Sequence, residues 1–421
     1  MAGLCAYTAL FIVAPVQGLD PVSLTGDSRS YKLLAENILR VGTFSLSLEA
    51  PYAPESFRSP GYPLFLSGLY GLVQHWAAVL LLQAALLSVV PVLLYLLMKP
   101  YHERAAWWGS IIFIFEPTRL FLSVSLLSDA LFAALFLGSL LLLERARMRA
   151  SWRHAALAGA LLGISMLVRP IAMFLPALYV AYLAFFMRPW KESARFVAVL
   201  VLSAAIMVSP WALRNYAHFG SSQISSVGAA NLMLYNAPEF VRAYPSERGT
   251  ALLEQFKLRH ESLPERELLS LSRAGEFTAA FKEVIRGQEV SYLAFHAVKT
   301  LPFFITDGLR EIARLMGVEF GAMPNYTSAL LRGDWALLGQ YLAQGGLATV
   351  LLVAGSGAWA LATALCAWIL WRALRGKEEY MWVFFAALVV YFALLTGPVS
   401  NARYRLPVEG FIIVAAAAVL L

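Results

Sequence analysis

The most constraining feature of this 421-residue sequence is a series of long apolar runs that recur along the chain. A run of about 18 or more apolar residues with few charges is typical of a helix that crosses a bilayer. Hydrophobic residues make up 60% of the sequence and charged residues 14%, whereas soluble domains have about 45–50% and about 25%. This composition excludes an ordinary soluble enzyme and predicts an all-α, polytopic integral membrane protein.

The apolar runs predict about 10–12 transmembrane helices. They fall at 2–16, 76–98, 106–124, 127–143, 155–168, 170–187, 195–213, 346–371, 380–397 and 405–421. The first run is short for a span, but it lacks the basic head and the cleavage site of a signal peptide, so we expect a transmembrane helix there. The sequence leaves open whether a weaker candidate, 290–306, also spans.

The distribution of basic residues predicts the orientation of the helices. The short linkers between successive apolar runs alternate between the two sides of the membrane. Those on one side hold twelve Lys and Arg residues, and those on the other side hold four. Because cytoplasmic loops carry the excess of Lys and Arg, the N-terminus and the twelve residues are expected in the cytoplasm. Two long polar segments, 18–75 and 214–345, are then extracytoplasmic. The predicted divisions are 1–213, 214–345 and 346–421, of which the middle one is mainly helical.

The first polar segment contains an amphipathic helical pattern. Its apolar positions follow helical spacing: Tyr31, Leu34, Ala35, Ile38 and Leu39. Gly26-Asp27-Ser28 is placed to begin the helix and Gly42 to end it. Such a helix is expected to lie in the plane of the membrane interface.

Ionisable residues collect at the extracytoplasmic ends of the predicted spans. They are Asp27, Glu116, Arg119, Asp129, Arg169, Arg214, Arg403 and Arg405. A central charge costs about 2.5–3.5 kcal/mol on insertion scales, so such residues are functional candidates. Arginine binds phosphate bidentately and a carboxylate accepts a proton from a hydroxyl, so this surface suits a phosphorylated lipid.

Each of these residues also has a structural interpretation. Asp27 is placed to cap the amphipathic helix, the arginines fit membrane anchors, and Glu116 and Arg119 are spaced to neutralise each other. Neither the six histidines nor Cys5 and Cys366 have metal-ligand spacing. The sequence has no nucleotide-binding fingerprint, which argues against an ATP-driven pump or a nucleotide-sugar enzyme.

Several motifs together resemble those of GT-C glycosyltransferases, in particular the bacterial branch related to protein O-mannosyltransferases and the lipid A aminoarabinose transferase. The motifs are Gly26-Asp27-Ser28-Arg29-Ser30-Tyr31, Arg58-Ser59-Pro60-Gly61-Tyr62-Pro63, Glu116-Pro117 with Ser128-Asp129, Val168-Arg169-Pro170, Pro210-Trp211-Ala212-Leu213-Arg214-Asn215, and Arg403-Tyr404-Arg405-Leu406-Pro407. The similarity covers the first seven predicted spans and returns at the C-terminal helices.

The resemblance implies a GT-C fold in a bacterial inner membrane, with a polyprenyl-phosphate-sugar donor and an extracytoplasmic active site. It assigns the catalytic base to Asp27 and a supporting role to Asp129. The implied donor-phosphate ligands are Arg58, Arg169, Arg214, Arg403 and Arg405. Tyr31, Tyr62 and Glu116 are further substrate-binding candidates in the same motifs. The acceptor is left open as a lipid, a glycan or a protein.

The chemistry of such a transfer sets what the residues must do. An acceptor hydroxyl must lose its proton, and the departing phosphate must be neutralised. Asp27 can perform the first task, and either the arginines or a divalent cation such as Mg²⁺ or Mn²⁺, held by Asp27 and Asp129, can perform the second. A single displacement inverts the anomeric centre.

Two other functions stay open at this stage. A transporter or lipid flippase would use the same charges to bind an anionic lipid-linked substrate, although transporters usually show inverted repeats. A polysaccharide polymerase or ligase would use a pyrophosphate-linked glycan instead of a monosaccharide donor.

Overall fold

The computed structural model of the chain describes residues 25–187, 189–309, 334–344 and 346–421. Helices dominate these residues, and none of them belongs to a strand. The predicted first span, Ala2–Val16, lies outside the described residues. The expectation of an all-α protein is therefore confirmed.

The helices are numbered here in chain order. The first half of the described chain contains α1 Gly26–Val41, α2 Gly61–Val73, α3 Trp76–Ile114, α4 Pro117–Ser123, α5 Asp129–Arg149, α6 Trp152–Val168, α7 Leu175–Phe186 and α8 Trp190–Phe219. The second polar segment contains α9 Val227–Ala230, a π-helix at Asn231–Asn236, α10 Ala237–Ala243, α11 Glu247–His260, α12 Glu265–Leu268, α13 Ala274–Ile285, α14 Glu289–Lys299 and α15 Leu301–Ile305. The chain ends with α16 Trp335–Gln344, α17 Gly346–Leu374, α18 Met381–Thr396 and α19 Ala402–Leu420.

Four helical segments among the described residues are long and apolar enough to cross a bilayer. They are Trp76–Ile114, Trp190–Phe219, Val350–Leu374 and Met381–Val399. Gly61–Val73, Trp152–Val168 and Pro170–Phe186 are shorter apolar helical segments. The polytopic membrane class is confirmed, and the total of about 10–12 spans stays a prediction.

Two predicted runs are each divided between two α-helices. The run 106–124 breaks between Ile114 and Pro117, because the proline ring disfavours a helical backbone at Glu116 before it. The stretch 290–306 divides into α14 and α15. Helix α3 is itself bent, since His102 has non-helical dihedrals of φ −159° and ψ 88°.

The amphipathic helix of the first polar segment forms as predicted. Thr25 caps α1, because its hydroxyl oxygen accepts the Ser28 N–H at 3.0 Å. Gly42 ends the helix in the left-handed region at φ 69°. Tyr31, Leu34 and Ala35 are buried, so the predicted apolar side of α1 faces the protein over its first turns, whereas Leu39 near its end is exposed.

Helices α6 and α8 pack closely through a small-residue motif. Gly159 and Gly163 are four residues apart on α6, and both lie against the backbone of α8. A Cβ atom at Gly163 would lie 2.6 Å from the carbonyl oxygen of Ala204, and one at Gly159 would clash with that of Leu200. Such close backbone approach is typical of glycine pairs in membrane helices.

We expect Gly159→Ala to destabilise the protein by about 1–3 kcal/mol, because the two helix backbones must separate. The midpoint of thermal unfolding in detergent micelles measures the effect. Gly68→Ala is the control, because no atom lies within 4 Å of a Cβ built at Gly68. Equal midpoints for the two variants would contradict the close packing of α6 on α8.

The second polar segment has a hydrophobic cluster of its own. Phe240, Phe256, Phe277, Phe281 and Phe295 are buried together in it, apart from the main core between the long helices. The short helices α9 to α14 therefore pack around their own small core. Part of the first polar segment contacts this core, since Phe57 packs against it.

Candidate active site

Five charged side chains from separate parts of the chain form one continuous ionic cluster. In order of contact they are Arg58, Asp27, Arg403, Asp129 and Arg169. The Asp27 carboxylate lies 2.7 Å from Arg58 Nη2 and 3.2 Å from Arg403 Nη1. Arg403 Nε lies 2.8 Å from Asp129 Oδ2, and the other Asp129 oxygen pairs with Arg169. Arg403 thus bridges the two aspartates.

The burial of the two aspartates differs. The Asp129 side chain is fully buried, whereas 32% of the Asp27 side chain is exposed. A buried carboxylate is stable only when it is paired, and Asp129 has two guanidinium partners. Asp27 is therefore the carboxylate of the cluster that an incoming molecule reaches first.

Helix α1 places Asp27 in the cluster. Thr25 is the N-cap, and Asp27 lies in the first turn, where the helix dipole favours a carboxylate. The interpretation of Asp27 as the cap is therefore wrong. The side chain points instead to Arg58 and Arg403, which lie far from α1 in sequence.

Local breaks in the helices place Arg169 and Arg403. Arg169 follows α6 in an extended conformation, with φ −141° and ψ 118°, because Pro170 disfavours another helical residue before it. Arg403 lies in the first turn of α19, where the Asn401 side chain accepts its N–H at 3.0 Å. Gly61 lies against the last turn of α6, because a Cβ there would be 2.8 Å from the Leu167 carbonyl carbon.

Aromatic rings surround the guanidinium groups. Arg58 lies 5.3 Å above the ring of Tyr31, and Arg169 lies 5.2 Å from the ring of Tyr404 and 5.8 Å from that of Phe132. Phe132 and Tyr404 were not among the predicted site residues. Phe132 lies three residues after Asp129 and Tyr404 directly follows Arg403, and this proximity was the only available signal.

Tyr62 has a different position from the one predicted. Its side chain is fully buried, and its hydroxyl donates to the Gln83 side chain. Gln83 in turn donates to the carbonyl oxygen of Ser125 at 2.6 Å. The Tyr62 ring meets Tyr31 edge to face at 4.8 Å. Tyr62 therefore packs against Tyr31 and Gln83 and is not open to a substrate.

Arg405 does not belong to the cluster, contrary to the prediction. Its side chain is fully buried, and its two terminal nitrogens donate to the carbonyl oxygens of Phe303 at 2.6 Å and Thr306 at 2.8 Å. The guanidinium lies 3.4 Å from the centre of the Trp359 ring. The reason is helical geometry, since residues two apart on α19 point about 200° apart.

Glu116 also lies outside the cluster, so the structure does not bring this predicted substrate-binding residue together with Asp27 and Asp129. It is the N-cap of α4, where its carboxylate accepts from the Thr118 hydroxyl at 2.9 Å and from the Arg119 N–H at 3.3 Å. The Arg119 guanidinium donates instead to the carbonyl oxygens of Phe113 and Leu87. Glu116 therefore binds the backbone N–H of Arg119, whereas the Arg119 guanidinium is hydrogen-bonded to carbonyl oxygens.

An apolar groove of about 690 Å³ borders Glu116. Side chains of α3, α17 and α19 form its walls, among them Trp108, Trp359 and Ile413. The five cluster residues are not part of its lining.

Arg214 is the second predicted phosphate ligand outside the cluster, after Arg405. Its Nη1 donates to the Glu55 carbonyl oxygen at 2.8 Å and to the Asn215 side chain at 2.8 Å. The guanidinium lies 4.6 Å from the centre of the Trp211 ring. Arg214 therefore joins α8 to the first polar segment and contacts no carboxylate of the cluster.

The predicted divalent cation does not fit this arrangement. Each aspartate is already paired with two guanidinium groups, and Arg403 lies between them. A cation bridging Asp27 and Asp129 would have to displace Arg403. In the described ranges, no group of three or more Asp, Glu, His or Cys side chains is placed to hold a metal.

The charges of the cluster favour the ionised form of Asp27. Three guanidiniums and two carboxylates leave a net charge of +1. Burial opposes ionisation of Asp27, but the charges and hydrogen bonds of Arg58 and Arg403 outweigh it and lower the pKa of that carboxyl below its ordinary value. The site therefore contains an ionised carboxylate, Asp27, next to the positively charged guanidinium groups of Arg58 and Arg403.

Comparison with known proteins supports the resemblance seen in the motifs. Residues 58–213 match the model of the family described as dolichyl-phosphate-mannose-protein mannosyltransferase. This segment contains Arg58, Asp129 and Arg169, and over it the chain is similar to that glycosyltransferase family. No curated protein matches the chain.

Two solved structures also resemble the chain. The archaeal oligosaccharyltransferase AglB from Archaeoglobus fulgidus, solved with an inhibitory peptide and a dolichol-phosphate, shares 17% identity at a TM-score of 0.41. That alignment covers 92% of this chain and 51% of AglB. The arabinosyltransferase EmbB from Mycobacterium smegmatis shares 15% identity at a TM-score of 0.32, over 93% of this chain and 39% of EmbB. The chain thus spans about half the length of AglB and less of EmbB.

Proposed function

We propose that this protein is a membrane glycosyltransferase that takes a sugar from a polyprenyl-phosphate monosaccharide. The acceptor is a hydroxyl group of a lipid, a glycan or a protein. The observation that carries the proposal is the bridge from Asp27 through Arg403 to Asp129, with Arg58 and Arg169 at its ends. The family match over residues 58–213 supports the same class of reaction.

In the proposed reaction the acceptor oxygen attacks the anomeric carbon of the donor. The bond from that carbon to the phosphate oxygen breaks, and its electron pair leaves with the polyprenyl phosphate. Asp27 accepts the proton of the attacking hydroxyl as general base, a role typically worth about 10²–10⁴-fold. The displacement occurs once and inverts the anomeric centre.

The charge of the cluster matches this reaction. The donor is a phosphodiester with one negative charge, and the leaving phosphate gains a second as the bond breaks. The guanidiniums of Arg58, Arg169 and Arg403 therefore interact more strongly with the leaving group than with the bound donor. Such differential stabilisation lowers the barrier. As the phosphate engages Arg58 and Arg403, Asp27 loses part of its pairing and becomes a better base.

The proposed site opens on the extracytoplasmic side of a bacterial inner membrane, and the N-terminus is cytoplasmic. The excess of basic residues in alternate linkers supports this orientation. Asp27 and Arg58 lie in the first polar segment, on the side opposite those linkers by the same rule. The donor is already activated, so no cytoplasmic energy source is needed.

A transfer assay tests the proposal. Purified protein in lipid nanodiscs receives a radiolabelled polyprenyl-phosphate sugar together with lipid, glycan or peptide acceptors, and we expect the label to appear in one acceptor. The same sugar on a nucleoside diphosphate is the control and should give no transfer. Movement of intact donor across vesicles without cleavage would contradict the proposal and indicate a flippase. Transfer only from a pyrophosphate-linked glycan would indicate a polymerase or ligase.

The pH dependence of transfer should report the pairing of Asp27 with Arg58. Because Arg58 helps to lower the pKa of Asp27, Arg58→Met should raise that pKa. A base is active when ionised, so activity falls as the pH falls through its pKa, and the acidic limb of the variant should lie at higher pH. Arg58→Lys keeps the charge and should shift the limb less. An acidic limb that is identical in all three proteins would contradict the role of Asp27 as base.

Removal of divalent cations should leave transfer unchanged. The reason is that the guanidiniums occupy the positions around Asp27 and Asp129 that a metal would need. Initial rates with and without EDTA, after dialysis against the chelator, measure this. A loss of activity that Mg²⁺ or Mn²⁺ restores would show that a cation displaces Arg403 in the working enzyme.

A further inference from the structure

The loop that carries Arg58 is organised by a buried carboxylate. Glu55 is 3% exposed, and its Oε1 accepts hydrogen bonds from three consecutive backbone N–H groups. The distances are 2.9 Å from Ser56, 2.5 Å from Phe57 and 3.4 Å from Arg58. Hydrogen bonds to an ionised carboxylate are stronger than those between neutral groups. One side chain therefore fixes the turn that ends at Arg58.

Arg214, at the end of α8, holds the same loop through its backbone. Its hydrogen bond to the Glu55 carbonyl oxygen, at 2.8 Å, connects the loop to the end of α8. On the other side, the Glu55 N–H donates to the Phe44 carbonyl oxygen at 2.9 Å. The guanidinium of Arg214 is itself held between aromatic rings, at 4.6 Å from Trp211 and 5.3 Å from Phe219. This arrangement leaves Glu55 little freedom to move.

The second polar segment provides a third contact. The Ser56 carbonyl oxygen accepts the Ser226 N–H at 3.1 Å, and its hydroxyl oxygen accepts the Leu271 N–H at 2.9 Å. The next side chain, Phe57, packs against the small core of that segment. Arg58, the next residue, points toward Asp27 and lies over the ring of Tyr31.

We propose that Glu55 and Arg214 are positioning residues that hold the Arg58 guanidinium at the donor-phosphate site. Glu55 contacts Arg58 only through the backbone N–H and Arg214 contacts the Glu55 backbone, so neither is ion-paired with a cluster carboxylate and both act by placing the Arg58 side chain. A guanidinium that is already in place when the donor arrives stabilises charge without the cost of reorganisation. This inference rests on the proposed transferase function.

Two variants of Glu55 test the inference. We expect Glu55→Ala to raise the KM for the polyprenyl-phosphate sugar roughly tenfold, about the effect of losing one charge-assisted hydrogen-bonding group. The acidic limb of the pH profile should also move to higher pH, because Asp27 loses part of its pairing with Arg58. Glu55→Gln keeps a carbonyl oxygen for the backbone N–H groups and should restore most of both properties. Arg214→Met should change the KM in the same direction as Glu55→Ala.

A double variant separates positioning from general stability. If Glu55 acts through Arg58, adding Glu55→Ala to Arg58→Met should change the KM by no more than about twofold. Asn37→Ala is the control, because the Asn37 amide holds the carbonyl oxygens of Ser45 at 2.7 Å and Ser47 at 2.9 Å without contacting the Glu55 loop. It should lower the unfolding temperature while leaving the KM and the pH profile unchanged.

The outcomes distinguish this inference from the proposed function. Independent, multiplying effects of Glu55→Ala and Arg58→Met, or equal behaviour of Glu55→Ala and Asn37→Ala, would overturn the positioning role while the transferase remained. Absence of transfer in the unchanged protein would overturn the function itself. A ¹³C titration of the Asp27 carboxyl then decides the positioning role, because Glu55→Ala should raise its pKa and Asn37→Ala should not. No change in either variant would overturn the inference.

Discussion

Replacing Asp27 with asparagine is expected to lower the rate of sugar transfer by about 10²–10⁴-fold, the usual range for loss of a general base. Asparagine keeps the shape of the side chain but cannot accept the proton of the acceptor hydroxyl. The change also removes one negative charge from the cluster, so the net charge rises by one. The donor should therefore bind as tightly as before or more tightly, and the loss should appear in kcat.

The matched control is Thr25→Ala. Thr25 is the actual N-cap of α1, so its loss weakens the same helix by about 1 kcal/mol without removing the carboxylate. We expect this variant to transfer sugar at close to the normal rate when folded. If Asp27→Asn also retains transfer within a few fold of the unchanged protein, Asp27 is not the base.

Replacing Arg403 with glutamine should lower transfer by about 10²–10³-fold, the range seen when one group that stabilises developing charge is removed. Arg403 is the only residue of the cluster that contacts both aspartates. Its loss removes a phosphate ligand and leaves Asp27 and Asp129 with less compensation. Donor affinity should fall together with kcat, in contrast to Asp27→Asn. Equilibrium binding of polyprenyl phosphate and single-turnover rates separate the two effects.

Arg403→Lys tests whether geometry matters as well as charge. A lysine has one ammonium group, whereas the guanidinium of Arg403 reaches Asp27 through Nη1 and Asp129 through Nε. We expect the lysine variant to remain well below the unchanged protein. Arg242→Gln is the control, because Arg242 forms an exposed pair with Glu239 in the second polar segment. A fully active Arg403→Gln variant would mean that the arginine only anchors α19.

Local signals in the sequence predicted the first helix well. The apolar stripe and the glycine stop lie within one short segment, so no distant contact was needed to define α1, although the cap was predicted at Asp27 and is Thr25. The break before Pro117 was not predicted, because hydropathy alone does not register the backbone restriction on Glu116. Hydropathy thus located the membrane segments but not their interruptions.

The cluster was predicted in part. Asp27, Arg58, Asp129, Arg169 and Arg403 were selected as candidates, and the structure brings them together. Arg405 was selected from the same motif as Arg403, although two positions along a helix turn a side chain to the opposite face. The carbonyl groups that accept its hydrogen bonds lie about a hundred residues earlier. Contacts over such distances cannot be read from one sequence.

Glu55 and Arg214 illustrate the same difficulty. Arg214 lies in a motif that resembles one of the glycosyltransferases, and its charge suggested a phosphate ligand. The structure connects it to Glu55, which is 159 positions away and carried no signal in the sequence. Arg214 therefore contacts the loop that carries Arg58 and not the cluster itself. Its partner Glu55 can be identified only from the folded structure.

The most direct test of the central claim is a structure of the protein in nanodiscs with a donor analogue whose phosphate-to-sugar bond cannot break. Our account predicts the phosphate oxygens within about 3 Å of the guanidinium nitrogens of Arg58, Arg169 or Arg403, and the anomeric carbon facing Asp27. A phosphate bound elsewhere, for example beside Glu116 at the apolar groove, with the ion pairs of Asp27 and Asp129 undisturbed, would contradict it.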